Sequence, residues 1–489
     1  MTKPVLERTE PKHHDIREID SARLSHGRYG TDEMCGVGIK RGIWGDEATF
    51  QYSLDSQAAS IETIREVDPD FISAEITDEL VRKAKVDVIG ADVIRAIEAD
   101  TGHDVIAINR GWNGVVSPEA GRYINKFRAS ACTTVTTQAL QIRDAIRTII
   151  DSGENLRDIT LERAYLDWSD KPSIDLTHLN DALSSHVGRP FAFYAETLQF
   201  CLEELKRVHD EKLYGKWSDA TGNFHEAKAS GFDGPLLQEL YCKKLGLQYM
   251  DASAQVPSRE MLTLTPMMLS LVGQSVGNLA HNVRFHRGDD SRLFTFPLKK
   301  KGSSSMPQKD LKGGNQTAEE QAEGFARYMI GPVAYNLSTC IFDYARDLVG
   351  SAPDRIYFDD MFKFGDHVIR RMADVMSKLI LDEERAKERI DRSYGVTTSR
   401  NVMTHLTDAR RTDAPLTWDE AHEIAAELAT TAFRNRTPYA DALLADDRIN
   451  SRFDEDVIRD MSDPAHYTGE SRKIIETVFG KYHGKRMFD

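Results

Sequence analysis

Apolar residues recur three or four positions apart along this chain from about residue 190 onward. In the segment 194–213 the stripe consists of Leu198, Cys201, Leu202, Leu205 and Val208. A second stripe, in the segment 364–390, consists of Val368, Met372, Val375, Met376, Leu379 and Ile380. This spacing places each set on one face of a helix and predicts two long amphipathic helices.

The segment 259–285 is apolar nearly all round and should be buried between other helices. Such a helix needs more partners than one chain easily supplies, which favours an oligomer. Thr417 and Glu420 have the spacing of a capping box that opens another helix. Alternating strand patterns are scarce and short. These patterns predict an all-α fold, a long-helix bundle.

The length of 489 residues exceeds what one core usually holds, so three regions are expected. They are a mostly helical N-terminal domain (1–125), a central long-helix bundle (126–375) and a helical C-terminal domain (376–489). The net charge of -15 argues against nucleic-acid binding. No apolar run approaches the ~20 residues that span a bilayer, and the polar N-terminus lacks a signal peptide's apolar core. We therefore expect a cytoplasmic protein with no membrane partner.

The loop 299–315, KKKGSSSMPQKDLKGGN, is both basic and rich in glycine and serine. Its spacing does not fit a phosphate-binding P-loop. An active-site lid could instead carry a Ser-Lys hydrolase nucleophile, with Ser303 activated near Lys309. Alternatively, it could remove a C–H proton beside a carboxylate, with the Lys309 ammonium stabilising the intermediate. That elimination needs a general acid, for which His186 is a candidate because histidine titrates near neutral pH.

The stretch GSSSMPQK (302–309) resembles the GSSxMPxKxN signature of the fumarase/aspartase superfamily, whose members are homotetrameric lyases that eliminate fumarate. Further segments resemble the adenylosuccinate lyase family within it. They are GRYGTDEMCGV (27–37), TGHDVIA (101–107), TGNFHE (221–226), QVPSREM (255–261) and YARDLVGSAPDRIYFDDMF (344–362).

The resemblance implies a β-elimination (C–N cleavage) that releases fumarate and AMP from a succinylated purine nucleotide, without metal or organic cofactor. Ser303 would be the general base, with Ser304 its neighbour, and Lys309 would stabilise the aci-carboxylate. His186 would protonate the departing nitrogen, and Glu320 would orient His186. Each active site would draw on three subunits of a tetramer with a central multi-helix core.

Further residues are expected to bind substrate by the same resemblance. They are Arg28, Tyr29, His103, Asp104, Ser130, Gln255, Ser258, Arg259, Ser304, Asn315, Arg346, Ser351 and Arg355. Two arginines and a serine can hold a phosphate through charge-assisted hydrogen bonds, which suits Arg346, Ser351 and Arg355. The competing interpretation of that segment is a helix end with Arg346–Asp347 or Asp354–Arg355 ion pairs.

The chain departs from the family pattern where a succinyl group should bind. Ala131, Gly188 and Gly102 replace a family serine, glutamine and arginine, and Arg189 is gained. Four residues are inserted between Lys309 and Asn315. A paralogous lyase for another succinyl adduct therefore stays an alternative, of the argininosuccinate or nitrosuccinate type or a 3-carboxymuconate cycloisomerase. A non-catalytic protein on a lyase scaffold is a third possibility.

Overall fold

The computed structural model describes residues 8–11, 29–37, 40–297 and 305–488, so Arg28, Ser303 and Ser304 lie outside the described residues. The chain is all-α, as predicted. The helices of the N-terminal part are α1 (Asp32–Cys35), α2 (Asp46–Val67), α3 (Ala74–Lys83), α4 (Val86–Ile89), α5 (Ala91–Thr101) and α6 (Asp104–Asn113). A 3₁₀ turn (Ala120–Tyr123) leads from them toward the long helices.

The long helices follow, with shorter helices between them. They are α7 (Ser130–Glu162), α8 (Gly188–Glu211), α9 (His225–Ala229), α10 (Gly234–Lys244), α11 (Arg259–Arg287), α12 (Thr317–Tyr328), α13 (Ile330–Ser338) and α14 (Ser351–Lys378). Helices α7, α8, α11 and α14 pack side by side, and α12 packs along α11 and α14. Gly273 and Gly277 of α11 permit that close approach, because a Cβ at Gly273 would lie 2.5 Å from Met329 Sδ.

Both predicted stripes lie on helices, and one of them ends early. The α8 stripe is buried throughout, as are Val368, Met372, Val375 and Met376 of α14. The prediction was wrong for Ile380, because α14 ends at Lys378 and Leu379 turns to extended backbone. Ile380 is 47 % exposed and lies in a two-residue strand.

The described strands form three short antiparallel hairpins or ladders. They are β1 (Gly36–Val37) with β2 (Lys40–Arg41), β3 (Pro172–Thr177) with β4 (Asn180–His186), and β5 (Phe294–Thr295) with β6 (Ile380–Leu381). A π-helical turn (Arg163–Asp167) connects α7 to the β3–β4 hairpin. The hairpin register pairs Pro172 with His186, so His186 ends β4 just before α8.

The C-terminal part adds α15 (Glu383–Asp391), α16 (Ser399–Thr407), α17 (Trp418–Asn435), α18 (Tyr439–Leu444), α19 (Asp447–Asn450), α20 (Glu455–Met461) and α21 (Ser471–Tyr482). Thr417 and Glu420 form the predicted capping box of α17. Apolar residues between 402 and 461 form a separate small core, whereas Ile475 and Val478 of α21 join the main core. The three domain boundaries stay a prediction.

The buried-helix expectation for 259–285 holds on one side of α11 only. Val272, Val276 and Leu279 are buried, but Leu271 is 43 % and Phe285 38 % exposed. No helix in the described ranges combines the length and apolar character that a membrane span requires.

Candidate active site

A cavity of about 900 Å³ lies where several helices begin. The first turns of α2, α6, α11 and α14 contribute to its wall, and α7 contributes from Thr134 onward. Helix N-termini carry unsatisfied N–H groups and a partial positive charge, so this wall suits an anion. Six predicted substrate-binding residues line it: Asp104, Ser258, Arg259, Arg346, Ser351 and Arg355.

Arg346 is held by an amide rather than by a carboxylate. Its Nη1 donates to Gln255 Oε1 at 2.9 Å, and Gln255 Nε2 donates to the Ala220 carbonyl at 2.9 Å. Gln255 thus supports Arg346 within the chain, and the substrate contact expected for Gln255 stays a prediction. The Arg346 guanidinium therefore keeps its positive charge without a neutralising partner among the described residues.

Arg355, on the first turn of α14, donates to Asp104 Oδ2 at 3.0 Å and remains 60 % exposed. Burial lowers the pKa of Arg346, the nearby Arg355 charge lowers it further, and Asp104 opposes both. The two guanidiniums repel each other across the Asp104 carboxylate, although the cavity wall as a whole carries more carboxylates than cationic groups. The competing interpretation expected an ion pair of Arg346 with Asp347 or of Arg355 with Asp354, and neither forms. Asp347 accepts instead from the backbone N–H groups of Asp343 and Val349. Asp354 is bonded to another arginine.

That arginine is Arg259, the first residue of α11. Its two Nη atoms each donate to Asp354 at 2.9 Å, and its Nε donates to Thr339 Oγ1 at 2.9 Å. Both charged side chains are mostly buried. All three nitrogens of Arg259 are therefore engaged within the chain, and the pair ties α11 to the first turn of α14. Ser258 at the same wall donates to Glu260 at 2.6 Å.

His103 and Ser130 lie together beside the cavity. Ser130 Oγ is 3.2 Å from His103 Nε2, and His103 Nδ1 is 3.2 Å from Asp104 Oδ1. His103 precedes α6 and Ser130 opens α7, so two helix starts bring them into contact. We name this group the phosphate end of the bundle, after the phosphate contact that the sequence predicts for some of its members: His103, Asp104, Ser130, Gln255, Ser258, Arg259, Arg346, Ser351 and Arg355.

His186 lies elsewhere, at the end of β4. The Gly188 N–H donates to the Trp168 carbonyl at 3.2 Å, which fixes this strand end just beyond the C-terminus of α7. His186 Nδ1 is 2.7 Å from Ser471 Oγ of α21. Burial lowers the pKa of His186, Arg472 lowers it further, and Asp170 opposes them.

The described part of the signature loop lies near the same end. Phe294 of β5 packs on Trp168 with ring centroids 5.1 Å apart. Gly313 has φ +81° and approaches Phe296 so closely that a Cβ would lie 2.3 Å from Phe296 Cβ. Lys309 lies in a 3₁₀ turn (Pro307–Lys312), where its N–H donates to the Met306 carbonyl.

Asn315 and Glu320 follow, and both are exposed. Glu320 Oε1 is 3.9 Å from Arg284 Nη1 near the C-terminus of α11. The contacts of one chain do not join Glu320 to His186 within the described ranges, so the predicted orienting role needs another subunit and stays a prediction. We call His186, the described loop residues 305–315 and Glu320 the loop end of the bundle.

Tyr29 belongs to neither end. Its ring packs edge-on against Phe325 of α12 and against Phe364 and His367 of α14, at 5.2 to 6.2 Å. This aromatic cluster lies along the middle of the bundle. A substrate contact for Tyr29 stays a prediction.

Helix length separates the two ends within one chain. Ser130 opens α7 at the phosphate end and Glu162 closes it at the loop end. At 1.5 Å per residue these positions are about 48 Å apart. Arg259 and Arg284, at the two ends of α11, are about 38 Å apart by the same measure. No small substrate can contact both ends of a single chain.

Two functional features were missed by sequence reasoning, the Ser471 contact with His186 and the Arg259–Asp354 pair. Ser471 lies 285 positions from His186 and belongs to no motif. Asp354 stands within a matched segment, but sequence adjacency suggested Arg355 as its partner. No local pattern signals either contact.

Comparison with known families gives two matches that together cover most of the chain. A family model described as "Lyase" matches residues 40–311, and one described as "Adenylosuccinate lyase C-terminus" matches residues 395–478. The first alone covers more than half of the chain.

Curated relatives match over nearly the full length. An adenylosuccinate lyase of Archaeoglobus fulgidus is 27% identical over 92% of this chain and 96% of its own length. One of Methanocaldococcus jannaschii is 26% identical over 94% and 96%. Among solved structures, a fumarate lyase from Mesorhizobium sp. BNC1 superposes with a TM-score of 0.77 at 19% identity, covering 94% of this chain and 99% of the other. A 3-carboxy-cis,cis-muconate lactonizing enzyme from Pseudomonas putida gives 0.75 at 19%, over 90% and 95%. Because both structures are only 19% identical to this chain, they show the fold alone.

Proposed function

Since this chain belongs to the lyase family of the fumarase/aspartase superfamily, and is a carbon–nitrogen lyase most like the adenylosuccinate lyases among the relatives described, we propose that it cleaves adenylosuccinate to fumarate and AMP. The observation that carries the proposal is the phosphate end. There the guanidiniums of Arg346 and Arg355 lie near the start of α14 and line a cavity of about 900 Å³. A nucleotide monophosphate has the charge and size for this place, whereas a small dicarboxylate alone would not need it.

The proposed reaction requires three groups at the succinyl end of the substrate. Ser303 removes a proton from the carbon beside the carboxylate, and the Lys309 ammonium stabilises the doubly charged intermediate. The C–N bond then breaks, and His186 gives a proton to the leaving purine nitrogen. Protons and charges balance without metal or organic cofactor. The family resemblance also supports the proposal of a cytoplasmic role in purine nucleotide biosynthesis.

We propose further that the working site is shared between subunits of a homotetramer. Support comes from the separation of about 38 to 48 Å between the phosphate and loop ends. It also comes from apolar side chains that one chain leaves exposed between α13 and α14: Leu337, Ile341, Tyr344, Leu348 and Val349. Ile341 is 89% exposed, and exposing an isoleucine side chain to water is unfavourable. Helices from neighbouring chains would cover this surface and bring one chain's loop end to another's phosphate end.

Absorbance of purified protein with adenylosuccinate tests the reaction directly. Conversion to AMP and fumarate is the expected result. Absence of turnover with AMP still bound would reject adenylosuccinate and direct the search to other succinyl adducts of nucleotides. Absence of both would reject the nucleotide.

Hybrid tetramers test the sharing of sites. His186→Gln removes the acid at the loop end, and Arg346→Ala removes a cation at the phosphate end, so each homotetramer should be nearly inactive at low substrate. Mixing the two variants after mild dissociation should restore part of the activity, because some sites then combine two intact ends. Each variant dissociated and reassociated alone is the matched control. No gain on mixing would show that one chain supplies both groups.

A further inference from the structure

Which of His186 and Ser471 donates their hydrogen bond follows from the number of protons that the serine hydroxyl carries. A serine hydroxyl carries one proton and can donate only one hydrogen bond. Ser471 Oγ donates to the Thr468 carbonyl at 2.8 Å. It is therefore an acceptor toward His186 Nδ1 at 2.7 Å, and the proton between them belongs to Nδ1.

The second ring nitrogen is then the one available for chemistry. His186 Nε2 has no hydrogen-bond partner in the described part of the chain. With Nδ1–H fixed, neutral His186 has a bare Nε2, and the imidazolium carries its transferable proton there. This is the protonation pattern that a general acid requires at the nitrogen facing the substrate.

Ser471 is placed for this role by a firmly docked helix. It is the first residue of α21 and is buried. Farther along α21, the Phe479 ring stacks on Tyr165 at 4.5 Å, and His483, just after the helix, contacts Glu162 at 2.9 Å. Tyr165 and Glu162 belong to the α7 terminus that also supports the hairpin. Helix α21 and β4 therefore share one rigid base.

We propose that Ser471 is a positioning residue that fixes the ring orientation and the Nδ1–H tautomer of His186 for proton donation from Nε2. The inference rests on the proposed function for the general-acid role. The role of Glu320 from another subunit is a separate prediction, and the variants Ser471→Ala and Glu320→Gln distinguish the two.

Charged groups around the ring make the effect measurable. Arg472 on α21 and Asp170 before β3 are the charges that act on His186, and they oppose each other. Removing the Ser471 acceptor withdraws stabilisation from the cationic ring, which has to keep a proton on Nδ1. The pKa of His186 should therefore fall further in Ser471→Ala.

The test combines turnover with a readout that needs no substrate. In Ser471→Ala, kcat should fall about tenfold with little change in KM. A positioned general acid contributes about 10²–10⁴-fold to the rate, and loss of its orientation should remove only part of that factor. A general acid is active when protonated, so the limb that falls with rising pH should move to lower pH. Ser471→Thr should restore both values. Thr477→Ala, which removes another hydroxyl of α21 bonded to the backbone, should change neither.

Diethyl pyrocarbonate labelling supplies the second readout, because it acylates unprotonated imidazole. The labelling rate of the His186 peptide against pH, followed by mass spectrometry, should shift to lower pH in Ser471→Ala. Ser471→Cys, which keeps the volume but is a weak acceptor, should shift the same way and serves if the alanine variant fails to fold.

Unchanged labelling and pH profiles in Ser471→Ala would overturn the proposal. So would a shift in Glu320→Gln that Ser471→Ala lacks. If wild-type protein failed to cleave adenylosuccinate but the labelling shifted as expected, the proposed function would fail while the Ser471 contact stood. Turnover of adenylosuccinate without the labelling shift would support the proposed function and reject the role of Ser471.

Discussion

The two ends of the helix bundle offer a substrate different kinds of chemistry. The phosphate end is built from fixed charges: Arg346 and Arg355 with Asp104 near both, the Arg259–Asp354 ion pair, and the N-termini of several helices. The loop end is built from groups that exchange protons, with a half-buried His186 held by a neutral hydroxyl. In the proposed function, substrate recognition and proton transfer are thus separated, within one chain, by the length of a helix.

This separation explains why the two ends tolerate different surroundings. A phosphate site must keep its charge at all pH values, and arginine does so because its pKa lies above 12. A proton donor must titrate, so the groups around His186 have to keep its pKa near the working pH. Ser471 orients the ring without adding a charge. Mutations should therefore be able to damage either end independently of the other.

The largest effect is expected from Ser303→Ala, in the signature loop. Loss of the proposed base should lower kcat by about 10²–10⁴. AMP binding, which depends on the phosphate end, should be unchanged, and sedimentation velocity should show the assembly intact. Steady-state kinetics and AMP titration measure the two ends separately.

Ser305→Ala, two positions along the same loop, is the matched control and should retain activity. Retained activity in Ser303→Ala, with loss in Ser304→Ala, would transfer the base to the neighbouring serine. Weakened AMP binding in Ser303→Ala would instead show that the two ends are coupled.

The next effect concerns stability at the phosphate end. Arg259→Met leaves Asp354 buried without its bidentate partner, which typically costs about 3–5 kcal/mol in the free energy of unfolding. Because α11 and α14 then lose their link, the thermal midpoint should fall clearly. Asp354→Asn in the same chain removes the stranded charge, so Arg259→Met/Asp354→Asn should recover part of the loss.

Full stability of Arg259→Met would mean that the pair contributes nothing to the packing of α11 on α14. In that case Arg259 would be free for the substrate contact that its motif suggested, and KM should rise instead. The thermal midpoint and KM together separate the two roles.

Much of the fold could be predicted because helix packing leaves a periodic trace in the sequence. The stripe from Leu198 to Val208 is on α8, and the Thr417–Glu420 box caps α17. The prediction failed at Ile380 because its spacing continues the stripe by chance after the backbone has already turned at Leu379. Periodicity records where an apolar side chain would face a core, not where the helix stops.

The candidate site was less predictable, for a different reason. Motifs named the residues, but they carry no information on which bundle end each one occupies. Arg346 and His186 look like members of one site in sequence, yet the length of α7 separates them in one chain. The pairing of His186 with Ser471 depends on how α21 docks, and that is decided by tertiary contacts over 285 positions.

The smallest effect, and the one that most sharpens the contrast, is expected from Arg346→Ala. Hydrogen bonds to charged groups contribute about 1.5–3 kcal/mol, so KM for adenylosuccinate should rise roughly tenfold to hundredfold with kcat much less affected. Stability should change little, because the side chain is bonded only to Gln255 within the described chain. Arg207→Ala, at an exposed arginine on α8, controls for the loss of one positive charge and should leave KM unchanged.

A pure kcat effect in Arg346→Ala would contradict the division between the ends, because a binding residue would then be acting on the chemical step. An unchanged KM would return Arg346 to a structural role as the partner of Gln255.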